Sequence, residues 1–263
     1  MGGPIADDPH PLLRMAEPVM GTVVSFAVRV DEREHEAVVA VREAVALLHD
    51  VDARFSPYRP DSEVSRVDAG TLRLDDVSDD LRVVLALSDE VARATDGYFA
   101  VWLGGHFDPS GLVKGWAVEG ASDVLLRHGF AHHSVAGGGD VQVRGERAPG
   151  RPWLVGIADP HRAGAVVATL PLTEGAVATS GTAERGAHIL DPHTGRTATE
   201  LASVTLVGPG LTFVDAYATA AFAMGRAALR WVEGQPHLEA MAVDPDGHRS
   251  ATSGWPGTAG GAA

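Results

Sequence analysis

Apolar positions change their period several times along the chain, and the changes mark its elements. From Met20 to Val30 the residues Val23, Val24, Phe26, Val28 and Val30 predict a strand. Over Arg33 to Phe55 the period lengthens. Val38, Val41, Val45, Leu48, Val51 and Phe55 recur every three or four residues, which predicts an amphipathic helix with one buried face, stopped by Ser56-Pro57. Ser78, followed by Asp79 and Asp80, has the form of an N-cap with an acidic first turn and opens a helix through Leu81, Val84, Leu85, Leu87 and Val91, with Gly97 as its stop. A third helix is predicted from Val113 to His128, ahead of Gly129. Ser134 to Arg144 has strand character broken by Gly137, Gly138 and Gly139, and Trp153 to Ile157, Val166 to Leu172 and Ser203 to Val207 are further strands. Thr212 to Val232 is rich in alanine and predicts one long helix closed by Gly234.

Strands and helices follow one another without the regular βαβ alternation of a doubly wound sheet, and no internal repeat is evident. The expected class is α+β, with mixed or antiparallel sheets and packed helices. Residues 18–249 are expected to form one catalytic domain, as a single body or two closely apposed lobes. Residues 1–17 read as a poorly ordered extension. The Gly, Ala, Ser and Thr of residues 250–263 read as a disordered tail.

The formal charge of −14 argues against a nucleic-acid surface, which needs clustered Lys and Arg. An anionic ligand would therefore need a metal ion or a helix N-terminus beside it. The absence of cysteine removes disulfides, thiolate metal sites and thiol catalysis. Met1 to Leu13 has neither a basic leader nor an apolar run, and no window approaches the roughly 18 apolar residues of a membrane helix. Cytoplasmic location without membrane insertion is the expectation.

Lysine occurs once, at Lys114, within Asp108-Pro109-Ser110-Gly111-Leu112-Val113-Lys114-Gly115-Trp116. A carboxylate, a glycine turn and a lysine at a helix start suit a cofactor phosphate or ribose; a capped helix with one salt bridge reads the same segment equally well. Asp215 and Thr219 lie four residues apart on one helix face and offer two hard oxygens, a partial shell for Mg²⁺, though an Asp favouring the helix dipole and a Thr bonding back to a carbonyl is the commoner meaning of such a pair. Ala178-Thr179-Ser180-Gly181-Thr182-Ala183, followed by His188-Ile189-Leu190-Asp191-Pro192-His193-Thr194-Gly195, combines hydroxyls with a histidine able to act as a base.

In this order the segments resemble the FAD:protein FMN transferase (ApbE) family. The matching pieces are Pro18 to Thr22, Arg54 to Tyr58 with Asp61 to Arg66, Asp108 to Trp116, Gly137 to Asp140, Ala178 to Gly181, His188 to Gly195 and Asp215 to Ala220. The resemblance implies transfer of FMN from FAD to a Thr or Ser hydroxyl of an acceptor flavoprotein, with release of AMP. It implies FAD contacts from Asp108 and Lys114, a flavin or adenine pocket lined by Met20, Tyr58 and Tyr98, and Ile189 against the cofactor. Mg²⁺ is implied on Asp215, Thr219 and the Gly111 carbonyl, with His188 as the base and Lys114 neutralising the diphosphate. Two departures stand out: Ala100 replaces the family's aspartate after Gly97-Tyr98-Phe99, and the segment from there to Asp108 is short. The alternatives are an FAD pyrophosphatase and a non-catalytic FAD-binding protein.

Overall fold

The computed structural model describes residues 10–182 and 189–259. In chain order the elements are β1 (Leu12–Val19), β2 (Thr22–Arg29), α1 (Glu34–Phe55), α2 (Glu63–Asp68), α3 (Asp79–Ala94), β3 (Trp102–Leu103), β4 (His106–Phe107), α4 (Ser110–Arg127), β5 (His133–Gly137) and β6 (Asp140–Arg144). Then come β7 (Trp153–Ala158), β8 (Val166–Leu172), β9 (Glu174–Gly181), β10 (Leu190–Asp191), β11 (Arg196–Thr197), β12 (Ser203–Gly208), α5 (Leu211–Met224), α6 (Ala228–Glu233), β13 (Glu239–Val243), β14 (Arg249–Ala251) and β15 (Thr258–Ala259). Eight strands form one antiparallel sheet in the order β1-β2-β5-β6-β9-β12-β13-β14, and β15-β8-β7 form a second, smaller sheet.

The large sheet is covered on both faces, so its central strands are buried on both sides and successive residues face opposite cores. Phe26 and Val28 on β2, and Ala176 and Ala178 on β9, join the core shared with α1, α4 and α5. Their neighbours Ala27 and Val177 point the other way, into a second core with Trp153, Val155, Ile157 and Leu170 of the small sheet. The fold is thus helices, large sheet and small sheet in three layers, the α+β arrangement expected.

Sequence and structure differ at several boundaries. Leu12 to Glu17, expected within a poorly ordered extension, instead pair with β2 across a tight turn at Met20 and Gly21, where both residues have positive φ. The strand is half-buried, with Leu13 and Met15 packed on the core, so pairing rather than deep burial orders it. Residues 1–9 lie outside the described residues. The expected tail is likewise not all irregular: β14 pairs with β13, β15 with β8, and Trp255 packs on the second core. The long helix expected from Thr212 to Val232 breaks at Gly225, whose φ of +60° ends α5 and where a side chain would meet the Glu200 carboxylate at 2.5 Å.

Candidate active site

A cavity of about 480 Å³ opens where the helical layer, the end of the large sheet and the small sheet meet. Tyr98, Phe99, Asp108, Gly111, Lys114, Gly138, Gly139, Thr179, Ile189, Asp215 and Thr219 line it, with Val155 to Pro160 on the small-sheet side. Its size is that of an organic ligand pocket.

The floor of the cavity is the seam between α4 and α5. The two helices approach so closely at Gly115 that a Cβ there would lie 2.4 Å from the Leu211 carbonyl and 2.9 Å from Asp215 Cβ. Only glycine fits, and its amide then donates to Asp215 Oδ2 at 3.0 Å. The start of α5 has no side-chain cap of its own, since Gly210 precedes it. Neighbouring elements supply the acceptors: Gln142 Oε1 from β6 accepts from Leu211 N at 2.9 Å, and Glu119 Oε2 from α4 accepts from Thr212 N at 2.8 Å. These bonds fix where Asp215 enters the cavity floor.

Three charges converge there. The Lys114 ammonium pairs with Asp140 and lies 3.3 Å from Asp215 Oδ1. Asp140 Oδ1 accepts from Thr179 N at 2.9 Å. Burial pushes the Asp215 carboxyl above the usual carboxylate range, against the pull of Lys114, and the nearby Asp140 charge adds to the rise. Asp140 is raised by burial too, again opposed by Lys114. Burial disfavours the Lys114 charge, but the two carboxylates outweigh it and hold the ammonium charged well above the ordinary lysine range.

Thr219, one turn after Asp215, also reaches the cavity, and a Cβ on Gly111 would sit 3.7 Å from its Cγ2. Among the described residues its hydroxyl takes no hydrogen-bond partner, so it does not bond back to its own helix. Asp108 Oδ1 accepts from Ser110 N at 2.9 Å, opening α4 at the cavity edge, where the helix N-terminus favours an anion. Asp108 therefore serves as the helix-opening group and as a lining residue at once. A carboxylate, a hydroxyl and the backbone of Gly111 line the same cavity and offer hard-oxygen donors of the kind Mg²⁺ takes.

Of the cofactor residues expected from sequence, Tyr98, Asp108, Lys114 and Ile189 line the cavity, as do the metal candidates Gly111, Asp215 and Thr219. Tyr98 is set edge-on by His193, ring centroids 4.5 Å apart. Met20 and Tyr58 are not among the lining residues. Met20 sits in the β1–β2 turn with φ 55°, half-buried against the core, and Tyr58 is 91% exposed after the end of α1. His188 lies outside the described residues. Ala100 lines the cavity, so the short segment before Asp108 still contributes wall. Sequence reasoning gave Asp140 no role. The available signal was a carboxylate directly after three glycines in a chain with one lysine; its burial, which demands a cationic partner, is seen only in the fold.

The ApbE family model matches residues 20–107 and 103–242. The FAD:protein FMN transferase of Haemophilus influenzae is 26% identical over 259 residues, covering 74% of this chain and 73% of its own length. The FAD:protein FMN transferase of Salmonella typhimurium is 31% identical over 130 residues, which span 46% of this chain and 37% of that protein. Among solved structures, the flavin transferase ApbE of Vibrio cholerae superposes with a TM-score of 0.80 at 22% identity, over 93% of this chain and 98% of that one. The ApbE protein of Thermotoga maritima gives 0.81 at 22% identity, over 92% and 97%. With the family model spanning most of the described chain, including both helices of the cavity floor, this protein belongs to the ApbE family.

Proposed function

We propose that the chain transfers FMN from FAD to a Thr or Ser hydroxyl of an acceptor flavoprotein, releasing AMP, with Mg²⁺ as the metal. The observation that carries this reading is the convergence of Asp215, Thr219, Gly111 and Lys114 on one cavity, beside the start of α4. Relatives with matching sequence carry the name FAD:protein FMN transferase.

In the reaction the acceptor oxygen bonds to the FMN-side phosphorus of FAD. The bond from that phosphorus to the bridging oxygen breaks, and AMP leaves with that oxygen. Asp215, Thr219 and the Gly111 carbonyl would hold the Mg²⁺, which when bound neutralises diphosphate charge. Lys114 supplies a second, permanent positive charge at the cavity floor, and the α4 N-terminus adds a favourable dipole. Tyr98 and Ile189 offer apolar surface for a flavin or adenine ring. His188 is the proposed base that takes the hydroxyl proton. Most of the acceleration then comes from positioning and charge neutralisation, as in other phosphoryl transfers.

The test is incubation with FAD and Mg²⁺, with and without a flavoprotein acceptor, measuring AMP and acid-stable flavin fluorescence on the acceptor. AMP together with labelled acceptor is the expected result. AMP with no label in any acceptor tried makes the chain an FAD pyrophosphatase, and FAD binding with neither product makes it a binding protein.

A further inference from the structure

The two buried carboxylates on the cavity floor share one pattern. Each has one oxygen tied to a backbone amide: Asp215 Oδ2 accepts from Gly115 N and Asp140 Oδ1 from Thr179 N. Each turns its other oxygen toward the same ammonium, that of Lys114. The contacts are unequal, with Asp140 Oδ2 hydrogen-bonded to Nζ and Asp215 Oδ1 at 3.3 Å from it. The side chains of Asp140 and Asp215 are 1% and 4% exposed, whereas that of Lys114 is 22% exposed and packs its stem beside Gly138 in the cavity wall. The carboxylates are held in place by backbone amides, whereas the ammonium, on the more exposed side chain, is held through the carboxylates. Any cation that binds Asp215 through its remaining oxygen meets Lys114 first.

We propose that this floor operates by cation exchange, in which Lys114 neutralises Asp215 until a divalent ion takes that oxygen, and Asp140 is the positioning residue onto which the ammonium withdraws. The inference rests on the metal assignment of the proposed function. Counting charges shows why two acids are built in. Two carboxylates and one ammonium leave an excess of one negative charge, and a divalent ion turns it into an excess of one positive charge. The bound diphosphate then finds one net positive charge on its side, carried by the ion on Asp215, with Lys114 paired to Asp140. Without Asp140, the ammonium would have Asp215 alone as partner and would contest the oxygen that the metal needs.

The experiment is Mn²⁺ binding to the full chain without FAD, followed by loss of the free-ion electron paramagnetic resonance signal, in wild type, Lys114→Met, Asp140→Asn and the double variant. Asparagine keeps an oxygen for Thr179 N, and melting temperatures confirm folding. Lys114→Met should tighten Mn²⁺ roughly 10-fold and Asp140→Asn should weaken it by a similar factor, the scale of coupling between neighbouring sites. The double variant should bind as tightly as Lys114→Met, because Asp140 acts through the lysine. Weakening that persists in the double variant would make Asp140 a direct ligand or a structural support, and would overturn the proposal. If Asp140→Asn fails to fold, the sign for Lys114→Met decides alone: unchanged or weaker binding overturns the exchange. Absence of Mn²⁺ binding in wild type overturns the metal assignment itself, and with it this inference. Mn²⁺ bound without the exchange pattern overturns the inference only.

Discussion

The two ends of α4 bury polar groups in opposite ways. Near its start, Lys114 faces two carboxylates, which with both ionised leave one more negative charge than positive. Two turns later Ser122, fully buried, meets His133, also fully buried, at 2.7 Å. His133 Nδ1 donates to the Phe130 carbonyl at 2.7 Å, which leaves Nε2 to accept from the Ser122 hydroxyl. This second group is neutral and complete within itself. A buried polar group that balances its own hydrogen bonds and charge locks a packing arrangement; one left with unbalanced charge beside a cavity is poised for a ligand.

Replacing Asp215 tests the contrast most severely. Asp215→Asn should lower FMN transfer about 1000-fold or more, the several kcal/mol that a bound metal contributes. The asparagine oxygen can still accept from Gly115 N, and the excess buried charge is gone, so the melting temperature should hold or rise. Full activity at limiting Mg²⁺ would break the assignment of Asp215 to the metal. Calorimetric melting beside AMP release reads both properties in one preparation.

At the neutral end the expected effect is on pH and stability. Burial pushes His133 down from 6.5 to about 4, despite its bond to the Phe130 carbonyl. Between those values the unfolded chain takes up a proton that the folded chain refuses, so folding stability drops as pH falls through that window. The loss amounts to about 3 kcal/mol once pH is below both values. Urea unfolding at pH 7, 5.5 and 4 measures it against His133→Gln, which should show a shallower decline; equal declines would show that the ring does not titrate this way. Ser122→Ala should cost about 1–3 kcal/mol by stranding Nε2, with transfer rates per folded molecule unchanged. A matching loss of transfer would dissolve the distinction between the two ends. The smallest effect belongs to Thr219→Ala: roughly a 10-fold loss of transfer at low Mg²⁺, since water can replace one neutral ligand, recovered at high Mg²⁺.

Elements with strong periodicity were legible. The helix expected over Arg33 to Phe55 is α1, and the Ser78 cap is real, its hydroxyl accepting from Leu81 N. Ser134 to Arg144, with its glycines, resolved into the β5–β6 hairpin turning at Gly138 and Gly139. The spacing of Asp215 and Thr219 and the isolation of Lys114 marked three residues that line the cavity, and the family resemblance was what joined them in one site. What escaped was small or half-buried. The strand β9 occupies the middle of the large sheet, yet Ala176 and Ala178 present little side chain to mark a period, because α5 packs directly on that face. The strand β1 is an edge strand whose partly exposed residues resemble those of a loop. Asp140 needed its partners to be seen, since a single carboxylate carries no pattern.

The order of strands also bears on how the chain reaches its native state. Sheet neighbours β2 and β5 are separated in sequence by α1 to α4, so Phe26 meets Val135 only after most of the helical layer has been threaded between them. Lys114, Asp140 and Asp215 come from a helix, a strand and a second helix spread over a hundred residues, and Gln142 must already be in place to receive the start of α5. Contacts of such sequence separation form late and slowly. A nascent chain ending before Leu211 therefore holds the lysine and one acid but has no seam to set them against.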